Sequence, residues 1–186
     1  MRMTDSRYER DQRRLHLAWR MLQLSARRQT IAEWTGLSPF RIRSLFKSYC
    51  APYQVERHRG PVIKSPSFLF RSLQIQCESA ALAHIGLQLE IIPKTTVANV
   101  VSWINVGRGQ SVVAAYRLYR SLVPHTRFDF DKAIYLLSEL ATQENLLIER
   151  CLICQEIMVI RRYEIPGRPC AFCRLNAPGG PAELAA

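Results

Sequence analysis

Apolar residues recur at helical spacing through most of this chain. Over residues 5–26, Leu15, Leu17, Ala18, Met21, Leu22 and Leu24 keep that period, with Arg10, Arg13, Arg14 and Arg20 interleaved, which predicts an amphipathic helix. A shorter helix over 28–34 follows, then Thr35-Gly36-Leu37, then a third helix over 39–49. Residues 51–67 contain Pro52, Gly60, Pro61 and Pro66 and read as a linker. The middle is helical again, over 68–89, 97–104, 111–122 and 131–147, with breaks expected at Pro93, Gly107-Arg108-Gly109 and Pro124-His125. Val112, Val113, Tyr116, Leu118 and Tyr119 offer a packing surface on one of these helices. From 148 onward a β-rich run, 157–163, and a turn at Pro166-Gly167 replace the helical pattern. The tail after Leu175 holds too little apolar surface to fold. The expected architecture is mainly α: a helix-turn-helix in 1–50, a linker at 51–66, a central helical bundle in 67–147, a four-cysteine zinc ribbon in 148–175 and a flexible tail at 176–186.

Charge sharpens this picture. The first 60 residues hold 13 basic and 5 acidic groups, net +8, whereas the remaining 126 hold 13 and 10, net +3. All but four of the 26 cations are Arg. Guanidinium binds phosphate as a fork and reaches guanine edges, so an arginine-rich N-terminal segment suits a polyanion. The alternative is a merely basic, solvated surface. Apolar runs are too short to span a bilayer, and residues 1–14 are polar with no secretory-type apolar run behind them. The chain is therefore expected in the cytoplasm.

Six cysteines stand at 50, 77, 151, 154, 170 and 173. The last four form C-x2-C, fifteen residues, C-x2-C. Each pair suits a tight knuckle, and fifteen residues suffice for a strand, a turn and a returning strand. Four thiolates around Zn²⁺ leave no open position, so Cys151, Cys154, Cys170 and Cys173 point to one structural zinc per chain. Competing readings are a redox dithiol, an iron–sulfur cluster or unliganded cysteines. A redox pair opens a helix after a strand, whereas Cys151 is expected to end a helix. Cys50 and Cys77 read as small, half-buried residues, and His125 is not needed as a ligand.

Residues 28–47 meet the physical demands of a DNA-binding helix-turn-helix. Ala32 is small where two helices cross. Gly36 tolerates positive φ in the turn. Ile31, Leu37, Ile42 and Leu45 fall on the seam, and Ser38 followed by Pro39 is an N-cap with proline at the first helical position. The outward face carries Pro39, Phe40, Arg43, Ser44 and Lys47. Arg43 is placed to reach a guanine edge, Ser44 is adaptable, and Arg41 and Lys47 suit phosphates. Ser38, Phe40, Arg41, Arg43, Ser44 and Lys47 are the candidate DNA-contacting residues. A plain αα-hairpin would match part of this pattern, with its charged side facing water.

A-Y-R-L-Y at 115–119, Pro124, a leucine-rich helix and then the C-x2-C…C-x2-C segment together resemble the FlhC family, subunits of the flagellar master transcriptional activator of proteobacteria. The likeness runs over about residues 15–175, is closest from 114 onward, and fits a member or a diverged paralogue. It implies a hetero-oligomer with FlhD that binds promoter DNA upstream of flagellar and other operons and recruits RNA polymerase. It also implies one zinc per subunit on the same four cysteines. The other class considered is a zinc-ribbon protein that binds nucleic acid or polymerase without reading sequence. No paired carboxylates, nucleophile–base set or phosphate-binding glycine loop marks an enzyme or a small-molecule substrate site.

Overall fold

A computed structural model describes residues 5–50, 63, 65–93 and 103–176. Among these, the chain forms seven α-helices and one two-stranded antiparallel sheet. The helices are α1 (Asp5–Gln23), α2 (Arg28–Thr35), α3 (Pro39–Leu45), α4 (Leu73–Gln88), α5 (Val106–Leu122), α6 (Phe130–Thr142) and α7 (Ala171–Leu175). The strands are β1 (Leu146–Arg150) and β2 (Ile157–Arg161). A π-helical turn, Phe46–Cys50, continues α3, and a 3₁₀ turn, Pro66–Phe70, precedes α4. The expected linker falls largely, and the expected helix over 97–104 almost entirely, outside the described residues.

Side-chain caps start most of these helices. Ser72, Asn105 and Asp129 accept from the backbone N–H groups of Ile75, Arg108 and Lys132 at 3.2, 2.9 and 2.8 Å. The N-cap of α2, Arg27, offers no such side chain. Asp131 of α6 takes its place: it accepts from Arg27 N at 3.1 Å and from the Thr30 hydroxyl, and pairs with the Arg27 guanidinium at 3.2 Å. A carboxylate from a distant helix thus satisfies the donors at the start of α2 and locks the N-terminal helices onto the central ones.

One core serves both regions. Leu17, Met21, Ile31, Trp34 and Ile42 share a buried cluster with Leu82, Trp103, Val113, Tyr119, Phe130 and Leu137. Trp34 meets Trp103 edge-on at 5.2 Å between centroids. Val112, Val113, Tyr116 and Tyr119 of the expected packing surface are buried, whereas Leu118 is largely exposed.

Two boundaries differ from expectation. Gly107-Arg108-Gly109 does not break the chain; it lies inside the first turns of α5, where Asn105 caps the helix and Gly109 lies against α1. The helix expected to reach 147 ends at Thr142, because Gln143 adopts φ 54° and returns its N–H to Glu139 O at 2.7 Å. Leu146–Arg150 then pairs with Ile157–Arg161, Ile148 opposite Val159. The hairpin separates two cores. Leu146, Ile148, Ile157 and Val159 join the main cluster, while the alternate residues Leu147, Met158 and Ile160 pack with the cysteines. Both faces being covered explains why these strands lack a polar side.

Candidate metal centre and helix-turn-helix

Cys151 follows β1 directly, and residues 152–154 turn back so that Cys151 N–H reaches Glu156 O at 2.9 Å. Gln155 closes the knuckle at φ 60°, the left-handed conformation for which glycine would be the unstrained choice. β2 then leads through a turn at Gly167, φ 85°, to Cys170, which caps α7 by accepting from Cys173 N at 3.4 Å. The strand pair expected between the two cysteine pairs does not form there. Only β2 lies between them, and its partner β1 precedes Cys151. Nor does Cys151 end a helix. Cys170-x2-Cys173 instead opens one, as a redox pair would, but the sulfur geometry favours a different chemistry.

The four sulfurs lie within 4.8 Å of one another. Cys151 Sγ and Cys173 Sγ are 3.8 Å apart, and Cys154 Sγ and Cys170 Sγ are 3.7 Å apart. Sulfurs held at about 2.3 Å around a tetrahedral ion sit about 3.8 Å apart, whereas a disulfide needs about 2.05 Å. The cluster is therefore shaped to hold a metal ion. Backbone N–H groups support the charged sulfurs: Cys170 N and Ile153 N donate to Cys151 Sγ at 3.1 and 3.4 Å. Burial pushes the Cys151 thiol up, but these donors and Cys154 N–H outweigh it and bring it to about 6. Cys173 goes the other way, to about 12, through burial and the neighbouring thiols of Cys154, Cys170 and Cys151. One negative charge is welcome here and a second is costly, a conflict that a central cation removes.

Cys151 and Cys170 are buried, Cys173 is half-buried and Cys154 is exposed. The module rests on α4, where Arg174 Nη2 donates to Gln76 Oε1 at 2.6 Å, and on the 3₁₀ turn before it, where Arg161 lies over the Phe70 ring at 4.7 Å. Cys77 of α4 is half-buried, as expected, yet it does not stand apart. It lines a cavity of about 390 Å³ shared with Cys154 and Cys170. Its thiol is pushed up, first by burial and then by the neighbouring Cys170 charge. Nothing is described of the Cys50 side chain.

The helix-turn-helix forms as the local signals dictate. Gly36 takes φ 67° and closes α2 through its N–H to Ala32 O at 2.8 Å. Ser38 caps α3, accepting from Arg41 N at 3.4 Å, with Pro39 next. Ile31, Leu37 and Ile42 are buried and Leu45 is half-buried. Every candidate contact residue, Ser38, Phe40, Arg41, Arg43, Ser44 and Lys47, is exposed, Phe40 by 77%. The Ser38 hydroxyl is committed to its cap, which leaves the other five as the free outward set. The brace from Asp131 was not legible in the sequence, because it joins residues about a hundred positions apart.

No helix among the described residues is long and apolar enough to cross a membrane. No protein-family model matches this chain, and no curated protein matches it.

Proposed function

We propose that this chain is a cytoplasmic, non-catalytic transcription regulator that reads duplex DNA through α3 and is fastened at its far end by one structural Zn²⁺. The observation that carries the reading is the division of the α2–α3 pair. Its apolar seam is buried, its cap and left-handed glycine are in register, and an aromatic, two arginines, a serine and a lysine face outward together. Zinc is favoured for the metal centre because four thiolates at tetrahedral spacing give closed coordination, which suits folding rather than catalysis. The likeness to the FlhC family supports an FlhD-like partner, promoters of flagellar and other operons as targets, and RNA polymerase as the recruited machinery.

Selection from a randomised duplex pool, using metal-loaded protein co-purified with an FlhD-like subunit, tests this. An enriched motif of a few adjacent base pairs is expected, and a pool that stays random contradicts it. One observation favours a second reading. Leu152, Ile153, Tyr163, Ile165 and Phe172 are all exposed on or beside the cysteine module, a surface suited to polymerase or another protein partner. A protein that uses only this surface and its charge would bind duplexes with steep salt dependence and no preference.

A further inference from the structure

Besides α3, a second basic surface runs along the outer seam between α1 and α5. Three contacts fix how these helices lie. Leu17 of α1 meets Gly109 of α5, where a Cβ would come within 2.6 Å of Leu17 Cδ2. Toward their N-terminal ends, Arg10, Arg13 and Arg14 share an open groove with Val106, Gly107 and Gln110. Toward their C-terminal ends, Arg117 Nη2 donates to Gln23 Oε1 at 2.9 Å. The partners are offset by 92 residues at Leu17–Gly109 and 94 at Gln23–Arg117, so the helices run side by side in the same direction. Arginines 10, 13, 14, 20 and 117 therefore file along one seam.

Among the described residues the acids beside them are Glu9, which lines the same groove, and Asp11, and both pair weakly. α5 contains Arg108, Arg117 and Arg120 and no acid. On α1 the pairs Arg13–Glu9 and Arg14–Asp11 are 3.6 and 4.0 Å long and exposed, a geometry that contributes little. The Arg20 guanidinium is held below its ordinary range, first by burial and then by the charge of Arg117, so two like charges are kept close, and among the described residues Gln23 is the side chain bonded to one of them. The seam is also rigidly tied to the helix-turn-helix. Trp34 of α2 lies against Gly109 as well, and α1 packs on the turn Phe46–Cys50 that ends α3.

We propose that the α1–α5 seam is a second nucleic-acid surface, which follows the sugar-phosphate backbone of a DNA duplex beside the segment α3 reads. The proposal rests on the duplex reading above and extends it to a different face. From Arg10 to Arg20 the seam is about 15 Å long. That length matches about four phosphates of one strand measured along the duplex axis. A file of guanidiniums without base-reading geometry supplies affinity and register, not sequence preference.

The test compares wild type with the variant Arg10→Gln, Arg13→Gln, Arg117→Gln, all at exposed positions. Both are metal-loaded, co-purified with the FlhD-like subunit and titrated with a mixed-sequence duplex of about 30 base pairs over a salt series. The expected result is a log–log salt slope shallower by about 2–3, since each phosphate contact contributes about 0.9. The corresponding Arg→Lys variant keeps the wild-type slope, and preference among selected duplexes is unchanged. Where the triple variant melts early, Arg13→Gln with Arg117→Gln is expected to show a change of about 1–2. A Gln variant with the wild-type slope overturns the proposal. So does tighter binding to single-stranded RNA than to duplex with the same loss in the variant. A wild type that binds no duplex overturns both this surface and the α3 reading. A slope change without any sequence preference in the wild type sinks the α3 reading and leaves the seam standing.

Discussion

Gly109 and Leu17 touch where α5 crosses α1, so closely that even a methyl group at 109 would sit 2.6 Å from Leu17 Cδ2 and 3.0 Å from Trp34 Cε3. Both neighbours are buried, Leu17 completely, and the contact joins α1, α2 and α5 at one point.

Gly109→Ala is therefore expected to destabilise the protein. Helix propensity alone would favour alanine by about 1 kcal/mol, but overpacking costs about 1–3 kcal/mol. The Trp34 ring has less room to give than the tip of Leu17. A net loss of up to about 2 kcal/mol is expected in denaturant melts, and a raised midpoint would contradict the close crossing.

Asp131→Ala is expected to cost about 3–5 kcal/mol, the range for removing one partner of a buried pair. It leaves the Arg27 guanidinium without its counter-ion, and Arg27 N–H and the Thr30 hydroxyl without their acceptor. Burial pushes the Asp131 carboxyl up against the pull of Thr30 and Arg27, so the pair itself adds little net stability and the penalty comes from stranding its donors. Hydrogen exchange over 28–35 should accelerate more than over 130–142. Uniform acceleration would mean that Asp131 does not specifically brace α2.

Cys154→Ser isolates the metal, because Cys154 is the exposed member of the four and its loss costs little packing. Metal per chain, measured by elemental mass spectrometry, is expected to fall from about one to about zero. Protection of residues 151–173 should fall with it, while the main core keeps its protection. Wild-type protein purified anaerobically without metal, yet fully protected in this segment, would contradict the assignment.

Tyr116 donates its hydroxyl to Phe128 O at 2.7 Å, and burial pushes its pKa up from 10 to about 12. A raised folded value means that the neutral phenol contributes stability fully below about pH 10, and that this is lost as pH rises through about 12. Absorbance titration should show Tyr116 ionising late and together with loss of circular dichroism. Burial also pushes the Tyr119 and Tyr135 phenols up, so the late step contains more than one tyrosine. Tyr116→Phe should lower its amplitude by one tyrosine, and an unchanged amplitude would mean that Tyr116 does not ionise late.

The parts of this structure legible in the sequence are those set by neighbours in the chain. Gly36, Ser38 and Pro39 act within four positions, and α3 begins where they place it. The cysteine spacing likewise announced four sulfurs around one point. The misread parts depend on distant partners. Gly107 and Gly109 look like a break locally, yet Gly109 is there so that α5 can approach Leu17. Leu146–Arg150 has the composition to extend a helix, and only pairing with Ile157–Arg161 makes it a strand. The same pairing moved a strand from between the cysteine pairs to before them.

The outward face of α3 carries the proposed function, and Arg43 is its most direct probe. The decisive measurement is the affinity ratio between a selected duplex and the same duplex with one base pair changed, for wild type and for Arg43→Ala. One position, preferred by about 1–3 kcal/mol in wild type, is expected to lose its preference in the variant while the others keep theirs. A variant whose ratio matches wild type at every position would contradict the claim that this helix reads bases.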